Sequence, residues 1–127
     1  MTRRKPPQPT KSELAILGIL WDQGPSTVRQ VHEMVSHSQS TGYTTTLKQM
    51  QIMYEKGLVV RDDSRRTHVY RARLAEERTQ RDLVKDLLDR AFGGSAEKLV
   101  LRALSAKKVS PTELDRIRQM LDELEGK

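Results

Sequence analysis

The chain has 127 residues, with 31% charged, 4% aromatic and a formal net charge of +6, enough for one ordinary domain or two small ones. It has no cysteine, which excludes disulfides and thiolate metal sites. No apolar run approaches about 18 residues, so membrane insertion is excluded, and the basic N-terminus lacks the apolar stretch of a secretory signal, so a cytoplasmic protein is expected.

Residues 1–9 read as a flexible basic tail. Arg3, Arg4 and Lys5 precede PPQP, which favours an extended backbone. The three cations either touch phosphate or a minor groove or form a solvated tail. A first helix begins at Thr10, where TKSE makes a capping box. Leu14, Leu17, Gly18 and Trp21 share one face, with Ile16 and Leu20 flanking. The helix ends near Gln23, before Gly24-Pro25. A second helix opens at Ser26 or Thr27 with the box TVRQ. Val28, Val31, His32 and Val35 turn inward; Arg29, Gln30 and Glu33 face out. His32 and His37 diverge on a helix and lack further ligands, so no metal site is expected.

Gly42–Gly57, GYTTTLKQMQIMYEKG, reads as a third helix of about four turns. Leu47, Met50, Met53 and Tyr54 share one face, and Thr46 joins it a turn earlier. Thr44, Thr45, Lys48, Gln51, Ile52 and Glu55 occupy the other side. Thr and Gln donate and accept hydrogen bonds, as reading base edges requires. Alone, such a face is equally a solvated one. After Gly57 the period changes to two: LVVRD and THVYRA form a hairpin with a loop around residues 63–66. Its tip carries Arg65 and Arg66, and alternation turns Tyr70 inward and Arg71 outward.

Three helices followed by a hairpin with a basic tip make a winged helix-turn-helix over residues 10–74, in which the third helix enters the major groove. The fold class is mainly α. Charge agrees with this division. Residues 1–74 hold 12 Lys+Arg and 6 Asp+Glu, whereas residues 75–127 hold 11 of each. A basic module for a polyanion is thus joined to a neutral module.

Residues 75–127 read as a helical dimerisation domain of three helices. Leu83, Val84, Leu87, Leu88, Ala91 and Phe92 stripe the fourth helix, which Gly93-Gly94 stops. Ser95 caps the fifth, with Leu99, Val100, Ala103 and Leu104 on its apolar side. SPTE opens the sixth with Ser110 as cap, Pro111 in the first turn and Glu113 closing a box; Leu114, Ile117, Met120, Leu121 and Leu124 line its inner side. Some fifty residues in three helices bury little apolar surface alone. Pairing with a second copy is therefore expected; the alternative is an intramolecular three-helix bundle.

The strings ELAILGILWDQGPSTVRQV, YTTTLKQMQIMYEKGLV, HVYRA, LLDRAFGGSAEKLVL and SPTELDRIRQML, in this order and spacing, resemble the penicillinase-repressor family of winged-helix transcription repressors (the BlaI/MecI/CopY type). The resemblance runs from about Thr10 to Leu124. It implies a homodimer that binds inverted-repeat operators in double-stranded DNA. Release is expected to follow a signal such as cleavage in the fifth helix by a membrane-bound metalloprotease sensor. The family's cleaved Asn-Phe pair is replaced here by Arg102-Ala103, which become the candidate cleavage pair. The cysteine motif of copper-responsive members has no counterpart. In the reading helix, Thr46, Lys48 and Ile52 stand where Val, Thr and Arg are frequent, so the operator is expected to differ.

The combined expectation is a dimeric sequence-specific repressor. Tyr43, Thr44, Thr45, Lys48, Gln51 and Ile52 would lie at the major groove, where Thr methyls and Ile52 pack on thymine methyls and Lys48 reaches guanine or phosphate. Arg65 and Arg66 would bind phosphate or the minor groove. Dimerisation would use Leu83, Leu87, Leu88, Phe92, Leu99, Val100, Leu104, Ile117, Met120 and Leu121. A basic helical protein-interaction module without sequence-specific DNA binding is the alternative. Nothing in the chain carries a nucleophile motif, paired carboxylates in an apolar setting or a phosphate loop, so neither an enzyme nor a cofactor is expected.

Overall fold

A computed structural model describes residues 8–37 and 40–126; Arg3, Arg4 and Lys5 of the expected tail lie outside the described residues. The elements follow in the order α1 (Lys11–Gln23), β1 (Ser26–Thr27), α2 (Val28–Ser36), α3 (Tyr43–Lys56), β2 (Val59–Asp62), β3 (Val69–Ala72), α4 (Glu76–Ala91), α5 (Ala96–Ala106) and α6 (Pro111–Leu124). The chain divides into two compact units, one ending at Leu83 and the other starting at Val84.

Local chemistry sets the helix starts of the first unit. Thr10 accepts from the Glu13 N–H while Glu13 accepts from the Thr10 N–H, closing the box that opens α1. Thr27 and Gln30 do the same for α2. Both boxes match the sequence expectation, because each satisfies two backbone donors at a helix start. The Gly24 N–H bonds the Leu20 carbonyl and ends α1.

The core of this unit is aliphatic. Ile16, Leu17, Leu20, Val28, Val31, Val35, Met50, Met53, Leu58, Val59 and Tyr70 form one buried cluster, with Leu14, Ile19, Trp21, Leu47 and Ala72 packed at its edge. The buried face of α1 is therefore centred differently from the expected one. Ile16 and Leu20 lie inside rather than at the flank, and Leu14 and Trp21 lie at the edge. The centre rotates because Glu13 can be buried: its carboxylate has partners on both oxygens. Trp21 sits where its indole N–H reaches the Leu74 carbonyl at 2.9 Å, the usual arrangement for a half-buried indole.

The hairpin is part of a three-stranded antiparallel sheet in the order β1-β3-β2. Val59 pairs with Ala72 and Asp62 with Val69, while Ser26 and Thr27 pair with Tyr70 and Val69. β1, two residues long, carries no alternation to announce it. Tyr70 is buried and Arg71 exposed, as the period of two requires. The loop spans residues 63–68 rather than 63–66, because the Asp62 carboxylate accepts the Ser64 N–H at 2.9 Å and turns the chain out of the ladder. The first unit continues beyond the wing into α4, where Thr79 is buried.

In the second unit, α4 stops as its glycines predict. The Gly94 N–H returns to the Leu88 carbonyl, and Gly93 and Gly94 both have positive φ. Ser95 accepts from the Lys98 N–H to start α5. Ser110 accepts from the Glu113 N–H to start α6, with Pro111 in the first turn. Only half of the expected box forms there, since Glu113 makes no return bond. Among the described residues from Val84 onward, none is buried.

Candidate nucleic-acid interface

α3 is divided sharply between two sides. Thr46, Met50 and Met53 are each fully buried, which by helical geometry turns the opposite side outward. Tyr43, Thr44, Thr45, Lys48, Gln51 and Ile52 are all exposed. Thr44, Thr45, Lys48, Gln51 and Ile52 thus share one solvent-facing arc, whereas Tyr43 falls by the helical period on the side of Met50 and is exposed at the helix start, where its ring meets His32 and Arg29 of α2. Tyr54 departs from expectation. Instead of lying inside with Met50 and Met53, it is 39% exposed. The reason is a partner outside the core: the Arg61 guanidinium stands 4.2 Å from the centroid of its ring, where the ring face attracts the cation.

Both ends of α3 are fastened to neighbouring helices. At its start, the Thr46 hydroxyl shares a 3.2 Å hydrogen bond with His32 Nδ1 of α2. The Tyr43 ring meets His32 edge-on at 5.7 Å. At its end, Lys56 Nζ donates to Glu13 Oε2 of α1 at 2.8 Å, and midway along it Gln49 donates to the Ser12 hydroxyl. Burial alone would raise the Glu13 pKa. The hydrogen bonds and positive charge of Lys56, with the Thr10 N–H, outweigh it and hold the carboxyl below its ordinary value. Gly57, at φ 83°, caps α3 in the left-handed conformation and turns the chain into β2.

The wing neutralises its own acids. Arg61 Nε donates to Asp63 at 2.6 Å, with a second guanidinium bond at 3.3 Å, and Asp63 raises the Arg61 pKa. His68 Nδ1 lies 3.6 Å from the same carboxylate. Asp62 is held below its ordinary value by the Ser64 hydrogen bonds and, to a smaller extent, by the nearby charge of Arg65. Arg65 and Arg66 remain at the exposed tip, and neither enters an ion pair among the described residues. Arg29 and Lys48 are likewise exposed and outside those pairs. Four cations are therefore available to an anion, beside hydroxyl and amide side chains that can both donate and accept.

Sequence reasoning did not identify the fastenings. Glu13 and Lys56 are 43 residues apart and Ser12 and Gln49 are 37 apart, so no local pattern could pair them. The contact between Arg61 and Tyr54 was hidden by the helical period, which assigned Tyr54 to the core.

The expected dimerisation residues divide by exposure. Leu83, Leu88, Phe92, Leu99, Leu104 and Ile117 are half-buried; Leu87, Val100, Met120 and Leu121 are exposed. Arg102 and Ala103 are exposed on α5. Among the described residues, no three acidic or histidine side chains gather as a metal site, and no helix is long and apolar enough to cross a membrane.

Comparison with known proteins bears on what this surface serves. The model of the Penicillinase repressor family matches residues 9–123. The "Transcriptional regulator BlaI" proteins of Mycobacterium tuberculosis strains CDC 1551 and H37Rv are each 33% identical to the chain over 117 residues, covering 90% of it and 83% of the relative. With nearly the whole chain matched, from the first helix through the sixth, the protein belongs to the penicillinase repressor family and is a regulator of transcription rather than an enzyme.

Proposed function

We propose that the protein is a cytoplasmic homodimeric repressor that binds an inverted-repeat operator in double-stranded DNA. The observation that carries this reading is the division of α3. Thr46, Met50 and Met53 anchor it without solvent exposure, leaving Thr44, Thr45, Lys48, Gln51 and Ile52 outward. Thr45, Gln51 and Lys48 would address base edges, and Ile52 with the Thr methyls would pack on thymine methyls. Tyr43 would stand at the edge of the groove. Arg65 and Arg66 of the wing would take phosphate or the minor groove.

The second unit supports pairing. It buries no described residue, yet exposes Val84, Leu87, Val100, Leu101, Met120, Leu121 and Leu124. Three helices without a buried side chain are not expected to persist alone, and a second copy offers the same apolar faces in return. Leu83, Leu88, Phe92, Leu99, Leu104 and Ile117 would complete that interface. Two-fold symmetry then requires half-sites about one turn apart or a small multiple of it.

Release from the operator would follow a signal acting on the second unit, such as cleavage of Arg102-Ala103 by a membrane-bound metalloprotease sensor. Both residues sit within α5, so cleavage would require local opening of that helix.

Selection of bound duplexes from a random pool tests the reading, followed by titration of the selected site against salt. The expected result is a palindromic consensus and an affinity that falls steeply with salt. A protein that retains no duplex, even in dilute salt, would refute it and favour a basic module for an acidic protein partner.

A further inference from the structure

We propose that Arg29, on α2, binds one DNA backbone phosphate in each operator half-site, and that the Tyr43 ring holds its guanidinium in place for that contact. This rests on the DNA-binding reading above and assigns it a contact outside the reading helix and the wing.

Four observations lead to Arg29. Its guanidinium carbon lies 5.2 Å from the centroid of the Tyr43 ring. Tyr43 is the first residue of α3 and directly precedes Thr44 and Thr45, so the cation over its ring lies at the start of the helix assigned to base reading. The ring is itself held: His32 meets it edge-on at 5.7 Å, and His32 is bonded to the buried Thr46 hydroxyl. Finally, the internal partner that a helix offers an arginine is not used. Glu33 lies four residues on, the spacing of a helical ion pair, yet makes no ion pair with Arg29.

A cation over a ring face is drawn by the ring's charge distribution rather than by hydrogen bonds, so the fork of N–H donors of Arg29 remains an open edge for another acceptor. That edge matches the two oxygens of a phosphodiester. Restricting the side chain before binding also reduces the rotamer entropy lost on contact. A phosphate contact positions the protein without selecting bases. Arg29 is therefore expected to set the register of α3 in the groove, not the sequence it reads.

The test uses the full-length protein and its selected operator, with affinity followed over roughly 50–200 mM salt. Arg29→Gln should lower affinity and flatten the slope of log K against log salt by about 0.9 per subunit, near 2 for the two-subunit complex. Its consensus in a repeated selection should match that of the wild type. Phosphate-ethylation interference should lose one position per half-site. Tyr43→Leu should weaken binding yet keep most of the slope, since the cation remains while its platform is gone. A neutral methylphosphonate at the lost position should reproduce the Arg29→Gln defect with unaltered protein, which keeps the test sound even if that variant folds poorly.

If wild type binds normally while Arg29→Gln keeps the wild-type slope and interference pattern, the role of Arg29 is overturned and the DNA reading stands. An altered consensus in Arg29→Gln would overturn it too, by making Arg29 a base reader. Wild-type protein that binds no duplex overturns both.

Discussion

The Glu13–Lys56 bridge should govern how firmly α3 is held, and Glu13→Gln isolates it. Glu13 is 3% exposed. One of its oxygens accepts the Thr10 N–H at 2.9 Å and the other accepts Lys56 Nζ at 2.8 Å. A glutamine keeps the first bond through its amide oxygen but presents an N–H donor to the Lys56 ammonium. The lost interaction is a charge-assisted bond, worth about 1.5–3 kcal/mol. Lys56 is 32% exposed and can turn to water, which brings the expected cost to roughly 1–2 kcal/mol. For a unit of this size that is a fall in thermal midpoint on the order of 5–10 °C, measured at fixed protein concentration because pairing would stabilise the fold. A double-mutant cycle with Lys56→Met should return most of the same energy as coupling. The sign with pH follows from the depressed carboxyl. Its contribution is present at and above the ordinary glutamate range and is lost as pH falls through the folded-state value. Glu13→Gln should therefore lose stability mainly near neutrality, and the gap from wild type should close in acid. A variant within a few tenths of a kcal/mol of wild type at neutral pH, or a gap that widens in acid, would refute the argument.

Other outcomes rest on the wing, the second unit and the end of α3. Replacing both Arg65 and Arg66 with Ala should weaken all duplexes alike and flatten the salt slope by about 1 for each lost contact, whereas Thr45→Ala should change the selected consensus; titrations on matched and mismatched sites separate the two. Leu121→Asp places a charge on a side chain 54% exposed in the single chain. Pairing would bury roughly 1 kcal/mol of its apolar surface per copy, so two copies should weaken a symmetric dimer by at least about tenfold to a hundredfold in sedimentation equilibrium. Gly57→Ala forces a side chain onto φ 83° at the end of α3 and should cost roughly 1–2 kcal/mol in urea unfolding, without a change in slope if both states keep their compactness.

The features legible in the sequence are those encoded over a few residues. Thr10 with Glu13 and Thr27 with Gln30 fix two helix starts, because each box needs only a four-residue string. Gly93 and Gly94 end α4, and the alternation around Tyr70 sets which face of β3 is buried. The outward set on α3 was legible for the same reason, since a period of 3.6 sorts its sides. What escaped was set by the surroundings. Glu13 looked like a capping residue alone, but its burial depends on a lysine 43 positions later. Tyr54 has the right spacing for the core, yet a guanidinium from the wing offered its ring a place outside. β1 is created by β3, not by any preference of Ser26 and Thr27.

These same contacts separate what holds α3 in place from what it presents to solvent. α3 is held from its inner side and its ends: Thr46 through His32, Gln49 through Ser12, and Lys56 through Glu13. Tyr54 links it to the wing through Arg61, whose second partner, Asp63, lies on the wing itself. None of these fastenings uses Thr44, Thr45, Lys48, Gln51 or Ile52. Substitution at those five positions therefore leaves the placement of the helix unchanged, and surface changes of this kind usually move stability by no more than about 0.5 kcal/mol. Lys48 and Ile52 fall within that permissive set. Thr46 does not, because it is buried and bonded to His32 and belongs to the support of the helix. Support and outward surface are thus carried by different residues of one helix, so the outward face can change without the scaffold changing with it.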